Sequence, residues 1–284
     1  MSAMPRAESF SLLAGLPEAG DDDITLSTRL LKARAGLVLG AHKRDMIGRV
    51  LGLRARDLGV GTVTDYLTSL QRGGESTEWE HFVNAFTINH TAFFREQHHF
   101  DSLTKFARAC KTPISVWSCA ASTGEEAYSI AMTLREAQPA TDLRQAVWAT
   151  DIDTQAIARA RAGVYSGDRA EPIPEVLLKR YFQRGQGART GQVRVKPLLS
   201  SLVRFDTFNL CAPAWPSGRM FDAIFCRNVM IYFDKETQVR ILDHMATMLR
   251  PGGLLFAGHS ENFTYLTDKF RLLGQTVYER DKLK

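Results

Sequence analysis

A chain of 284 residues has room for one large domain or two small ones, and 44% apolar with 24% charged residues is the balance of a soluble globular protein. No apolar run reaches the roughly 20 residues needed to span a bilayer, and the opening MSAMPRAESFSLLAGLPEAGDDD lacks the basic start and apolar core of a secretion signal, so a cytoplasmic protein without membrane insertion is expected. The net charge of +5 is uneven: eight Lys or Arg against two Asp between Thr28 and Val60 put +6 in that segment alone, which calls for an acidic partner such as nucleic acid, a membrane surface or an acidic protein.

Residues 1–20, rich in Gly, Ala, Glu and Pro, are expected to be disordered. A helical domain is expected over 21–88. Asp22 or Asp23 is placed to cap its first helix, through Ile24, Leu30 and Leu31. Met46, Ile47, Val50 and Leu51 then share one helical face, and His42, Arg49 and Arg56, spaced by seven, share another. VTDYLTSLQ and STEWEHFVNAF follow as short amphipathic helices. After Thr91 short β-rich runs alternate with helical ones. Strands are expected at ISVWS (114–118), QAVWATD (145–151), VRFDTFN (203–209), FDAIFCRN (221–228), GGLLFAGH (252–259) and QTVYERD (275–281). EEAYSIAMTLREA, TQAIARARAG and KETQVRILDHMATMLR read as the helices between them. The alternation predicts an α/β domain over 89–284 with a doubly wound, mostly parallel sheet, whose ligands bind beyond the carboxyl ends of the strands. One stretch, about 166–202, breaks the pattern: YFQRG and QVRVKPLL flank a Gly-rich turn and read as a small antiparallel hairpin insertion.

Cys110, Cys119, Cys211 and Cys226 form no CxxC pair, and the seven histidines show no HExxH spacing. His98 and His99 are adjacent and would point in different directions on a helix, so no metal site is expected. The first βα turn, Cys119-Ala-Ala-Ser-Thr-Gly-Glu-Glu126, is neither GxGxxG nor a Walker loop. Its small residues let a ligand approach the backbone. Two glutamates at the helix start suit the helix dipole but repel phosphate, which favours a ligand with an ammonium or sulfonium; an ordinary tight turn is the alternative. Asp151 ends the second strand, where an acid typically accepts from a ribose diol; Asp153 competes for that role but fits better as the N-cap before Thr154. Pro251-Gly252-Gly253 is read as a turn between a helix ending at Leu249-Arg250 and the next strand.

Four runs together resemble the chemotaxis receptor methyltransferase family, CheR: Asn89-x-Thr-x-Phe-Phe-Arg95, the Ala120-to-Glu126 turn, Asp151-Ile-Asp-Thr, and Phe225-Cys-Arg-Asn-Val-Met-Ile-Tyr-Phe-Asp234. GHSENF (258–263) and GQTVYER (274–280) match in order, and the resemblance covers roughly residues 25–280. Ala127 departs from it, since proline is expected in GEEPYS; either residue is tolerated at a helix start. The Pro-Gly-Gly run after the fourth strand also resembles methyltransferases of the class that uses S-adenosyl-L-methionine. The resemblance implies that fold, with a small N-terminal all-α domain and a small antiparallel β insertion. It implies methyl transfer from S-adenosylmethionine to receptor glutamates, giving methyl esters and S-adenosyl-L-homocysteine.

By position, the resemblance implies that Asn89, Thr91 and Arg95 face the cofactor or its methyl group, that Glu126 joins the cofactor shell and that Asp151 holds the ribose. Asn209 and Leu210 would border the adenine, with Arg227, Asn228 and Tyr232 beside the transferring methyl. Arg95 and Tyr232 are the expected catalytic pair, and Arg95 would hold either the incoming carboxylate or the cofactor's own. A glutamate side chain, with an unperturbed pKa of about 4.3, needs no base before it attacks, in keeping with the lack of a His–acid pair beside any motif. Arg44, Arg49 and Arg56 would dock the acidic receptor helix. Some relatives add a C-terminal receptor peptide to an edge strand of the insertion, and Gly185, Gly187 and Gly191 reproduce their glycine pattern. Two other readings compete. A nucleic-acid methyltransferase is disfavoured because Asn228-Val-Met-Ile stands where Asn- or Asp-Pro-Pro-aromatic is usual, so no nucleic-acid partner is expected. A non-catalytic signalling scaffold is disfavoured by the intact Arg95, Asp151, Asn228 and Tyr232.

Overall fold

The computed structural model describes residues 15–73 and 77–281. Of the expected disordered segment, residues 1–14 lie outside the described residues. The chain divides into two compact units, the first ending at Thr87 and the second beginning at Ile88. Among the described residues, no helix is long and apolar enough to cross a membrane.

Among the described residues, the first unit holds four α-helices: α1 (Asp21–Ala35), α2 (Arg44–Asp57), α3 (Val63–Arg72) and α4 (Thr77–Phe86). The cap of α1 is Gly20, not Asp22 or Asp23. Asp23 sits in the first turn and its carboxylate reaches back to accept from the Gly20 N–H at 2.9 Å, satisfying a donor the helix cannot. Ile47 and Leu51 of α2 are buried as the spacing predicts. Arg54 of α2 makes two hydrogen bonds to Glu78 of α4 (2.6 and 3.0 Å), and Tyr66 of α3 donates to the same carboxylate at 2.8 Å, so one ionic cluster ties three helices. His42 lies in a 3-10 turn ahead of α2, so only Arg49 and Arg56 share the expected basic face. Both are exposed; Arg56 has Asp57 at 3.6 Å, and Arg44 pairs with Asp21.

The second unit begins with α5 (His98–Ala109) and is built on β1 (Val116–Ser118), α6 (Glu125–Ala137), β2 (Val147–Asp151) and α7 (Thr154–Ala162). The insertion follows: β3 (Val164–Ser166), α8 (Gly167–Ala170), α9 (Glu175–Tyr181), β4 (Phe182–Arg184), β5 (Gln192–Val195) and α10 (Pro197–Ser200). The sheet resumes with β6 (Val203–Thr207), β7 (Phe221–Cys226), α11 (Lys235–Met248), β8 (Leu249–Ala257), β9 (Phe270–Gly274) and β10 (Val277–Arg280). Seven strands run in the order β6-β2-β1-β7-β8-β10-β9, with β10 antiparallel to β8 and to β9 and the remaining pairs parallel. Chain order reverses between β1 and β7, which opens a crevice beyond their carboxyl ends. Aromatic packing fills the sheet: Trp117 stacks on Trp148 (5.1 Å) and Phe221 (5.7 Å), while Phe225 stacks on Phe256 (4.2 Å).

Three features of the strands differ from the sequence reading. The insertion holds the expected antiparallel pair, β4 with β5, but adds a third strand to give the order β3-β5-β4. Its extra strand is a three-residue run directly after a helix and carries too little periodicity to register. The Pro251-Gly252-Gly253 run is a bulge inside β8. Register with β7 jumps from Phe221↔Leu249 to Ala223↔Leu254, Gly252 adopts φ 78°, and a Cβ on Gly253 would stand 2.8 Å from the Asp222 carbonyl oxygen. Finally, β9 went unseen because its residues after Phe270 are exposed, leaving no alternation.

Candidate functional site

The turn after β1 is shaped by two left-handed residues, Ser122 (φ 48°) and Gly124 (φ 97°). A Cβ on Gly124 would stand 2.8 Å from that of Ala160 on α7, so glycine lets α6 start against α7. Asp151, at the tip of β2, accepts from the Ser122 N–H at 2.8 Å and the Asp153 N–H at 2.9 Å. Burial pushes its carboxyl pKa up. Asp153 is the N-cap of α7, accepting from Gln155 and Ala156, as the sequence reading held. Asn89 bridges both turns, donating to Asp153 at 2.6 Å and accepting from the Ser122 hydroxyl at 2.8 Å. Thr91 is half-buried in the same segment.

The two glutamates that open α6 meet cations of their own chain. Glu125 accepts from the Thr123 hydroxyl at 2.7 Å and has the Arg169 guanidinium of α8 at 3.1 Å. Glu126 accepts from the Ser118 hydroxyl at 2.8 Å and from Arg227 at 2.9 Å. Arg227 is itself buried: it donates to the Arg95 carbonyl at 2.5 Å, has Glu96 at 3.3 Å, and lies over the Phe100 ring. This guanidinium therefore joins the segment before α5, the start of α6 and the end of β7. Burial raises the Glu96 pKa, but Arg227 and the His259 N–H outweigh it and leave the carboxyl below its usual value. Phe94 (φ 53°) and Glu96 (φ 59°) are left-handed, and the Ser129 hydroxyl accepts from the Phe94 N–H at 3.0 Å.

His98 and His99 were expected to point apart; instead they converge. Their rings lie 4.2 Å apart and both Nε2 atoms meet the Gln275 carbonyl oxygen, at 3.2 and 3.1 Å. They sit at the very start of α5, where both rings reach the left-handed Gln275-Thr276 turn. His99 Nδ1 is 3.5 Å from Glu96, so a His–acid pair does stand beside the Arg95 motif, against expectation. The His99 side chain is fully buried, and burial, with the nearby Arg227 cation, pushes its pKa down to about 4, so near neutral pH it is an uncharged packing group. Glu96, His98 and His99 bring three potential ligand atoms within 4.8 Å of one another, but Arg227 already supplies the carboxylate's counter-charge.

Beyond β7, Asn228 is left-handed (φ 57°) and Tyr232 ends a single 3-10 turn, Met230–Tyr232. Burial raises the Tyr232 pKa, Arg95 lowers it and Glu261 raises it; the net rise keeps a protonated, donating hydroxyl. Arg95 is half-buried and donates to the His90 carbonyl at 3.0 Å. Beyond β6, Asn209 accepts from the Cys211 N–H at 2.8 Å and Leu210 is buried. Glu261, which the sequence reading did not single out, is buried after β8 and gathers four backbone N–H groups. The available signal was an acid in a Gly-His-Ser-Glu loop following a strand. Gly185, Gly187 and Gly191 all lie in the insertion. A Cβ on Gly185 would meet the Arg189 carbonyl, while Gly187 (φ 57°) and Gly191 (φ 84°) are left-handed.

The arrangement fits a nucleoside-bearing ligand. The Asp151 carboxylate offers about four lone-pair sites, and the Ser122 and Asp153 N–H groups, with that of Ile152, do not fill them all, leaving capacity for a diol. Residues 89–279 match the family model "CheR methyltransferase, SAM binding domain", and residues 22–87 match "CheR methyltransferase, all-alpha domain". A chemotaxis protein methyltransferase of Klebsiella aerogenes is 49% identical, over 98% of this chain and 97% of the relative. One of Escherichia coli is 48% identical, over 90% and 89%. Chemotaxis protein methyltransferase 2 of Pseudomonas aeruginosa is 48% identical, over 86% and 87%.

Proposed function

The chain belongs to the CheR methyltransferase family and is an S-adenosylmethionine-dependent methyltransferase of chemotaxis; we propose that it esterifies glutamate side chains on the cytoplasmic domains of chemoreceptors. The observation that carries this reading is the two groups offered to a substrate: Arg95, a half-buried cation, and Tyr232, a phenol at the end of the 3-10 turn beyond β7. Together they suit a substrate that arrives already ionised. S-adenosylmethionine, when bound, supplies a methyl group on a sulfonium sulfur. Asp151 is proposed to grip its ribose, with Asn89 and Thr91 on one side and Asn209 and Leu210 at the adenine. Glu126 and Arg227 contribute to the cofactor shell through the segments they hold rather than as free charges. Tyr232 orients the acceptor carboxylate by donating its hydroxyl, and Arg95 draws the carboxylate in by charge. Neither group removes a proton, because a glutamate near pH 7 has none to lose. The remaining task is alignment and exclusion of water.

The test is incubation with receptor-containing membranes and methyl-labelled S-adenosylmethionine. A gain of one methyl on a receptor glutamate, released by mild base, is the expected result. Base-stable label would point to N-methylation and overturn the reading. In the same assay Arg95→Ala and Tyr232→Phe should each lower kcat by about 10- to 100-fold while S-adenosylhomocysteine affinity changes less than threefold, a loss confined to the transition state. Equal losses in both measures would remove them from the chemistry.

Arg49 and Arg56, with Arg44 beside them, are proposed to dock the acidic receptor helix. The receptor KM should therefore rise several-fold between 50 and 300 mM salt, roughly, as exposed charges are screened. A salt-independent KM would dismiss the patch. In the insertion, β4 is an edge strand beside a groove of about 570 Å³ that includes Arg184, Gly185, Gly191 and Gln192. Strand addition by a receptor C-terminal peptide is proposed there.

A further inference from the structure

Glu261 stands on the loop after β8, yet its carboxylate serves the loop after β7. Oε1 accepts from the Val229 N–H at 2.9 Å and the Met230 N–H at 2.8 Å. Oε2 accepts from the Asn228 N–H at 2.9 Å and the Gly258 N–H at 2.6 Å. The Glu261 N–H turns back to the Gly258 carbonyl at 2.8 Å, which fixes the side chain's own base. Glu261 is 4% exposed, so water does not offer those four donors an equivalent partner. Three of the four belong to consecutive residues, beginning with Asn228 in a left-handed conformation, which asparagine adopts more readily than other non-glycine residues. The 3-10 turn bearing Tyr232 starts at Met230, one of the clamped residues, and the Tyr232 N–H bonds to the carbonyl of Val229, another. A Cβ on Gly258 would stand 2.5 Å from Asn228 Nδ2 and 2.8 Å from Glu261 Oε2, so the two loops close without room for a methyl group.

We propose that Glu261 is a positioning residue for methyl transfer: its carboxylate sets the Asn228–Tyr232 turn and so places the Tyr232 hydroxyl. The assignment rests on the role of Tyr232 proposed above. Glutamine at 261 keeps the shape but turns an amide NH2 toward two N–H donors, leaving them unpaired, and aspartate is a methylene too short.

The test has two arms. In the first, hydrogen–deuterium exchange of the peptides covering 228–230 should speed at least tenfold in Glu261→Gln, with α6 unchanged; this arm needs no substrate, so it reads the clamp even if the receptor is the wrong acceptor. In the second, Glu261→Gln should lower kcat about 10- to 100-fold. When it is added to Tyr232→Phe, the double variant should lie within about threefold of the worse single variant, since one acts through the other. A merely structural carboxylate gives losses that multiply. Wild-type protein inert on receptors indicts the substrate reading; unchanged exchange, or multiplying losses with active wild type, overturns the clamp. Should Glu261→Gln fail to fold, Gly258→Ala wedges the same loops apart and is expected to show the same exchange and coupling. Loss of the fold in both variants would make the carboxylate a general stability element and also defeat the proposal.

Discussion

Arg227→Met is expected to cost about 3–5 kcal/mol of unfolding free energy, the range for removing one partner of a buried ion pair. The side chain is 2% exposed, and its loss leaves the Glu126 carboxylate, itself 10% exposed, with the Ser118 hydroxyl but without its guanidinium. Methionine replaces much of the aliphatic stem, so the loss is one of charge and hydrogen bonds more than of volume. Denaturant titration reads it directly. Pairing the change with Glu126→Gln should recover at least a third of the loss, because the stranded charge is then gone. A single-variant cost below 1 kcal/mol, or no recovery, would show that the network is not what joins these segments. Turnover should fall as well, since Arg227 also holds the Arg95 carbonyl.

The second large effect is expected at Asp151. Asp151→Ala should weaken S-adenosylhomocysteine binding by about 100-fold, from the loss of hydrogen bonds to a charged acceptor at about 1.5–3 kcal/mol each and of the support Asp151 gives the Ser122 N–H. Calorimetry measures it, and an affinity within threefold of wild type would take Asp151 out of the site. Burial raises this carboxyl's pKa, so in the ligand-free protein it picks up a proton at a higher pH than an exposed aspartate does. Ligand affinity should accordingly weaken on acidification before ordinary carboxylates titrate.

Most of the strand–helix order was readable because buried parallel strands make short apolar runs and the helices between them begin with recognisable caps. Asp153 announced itself as an N-cap, and the structure gives it that role. What could not be read was long-range pairing. Glu126 and Arg227 lie 101 residues apart in sequence, so no local pattern reports that these two side chains meet. Glu261 escaped for the same reason, since its four partners are backbone N–H groups that no residue pattern reports. The two histidines misled because a helical wheel describes the middle of a helix, whereas His98 opens one. Short strands were the other blind spot: β3 has three residues and β9 only one buried position.

The left-handed residues at Phe94, Glu96, Ser122 and Asn228 have a consequence for how this molecule can diverge. For most L-residues this conformation costs about 1–2 kcal/mol, less for asparagine, and a β-branched replacement would raise that further. Exchange at these four places is therefore restricted by main-chain geometry before any chemistry is considered. Changes in partner choice have freer ground in the helical unit and the small antiparallel sheet, where no non-glycine residue among those described has positive φ.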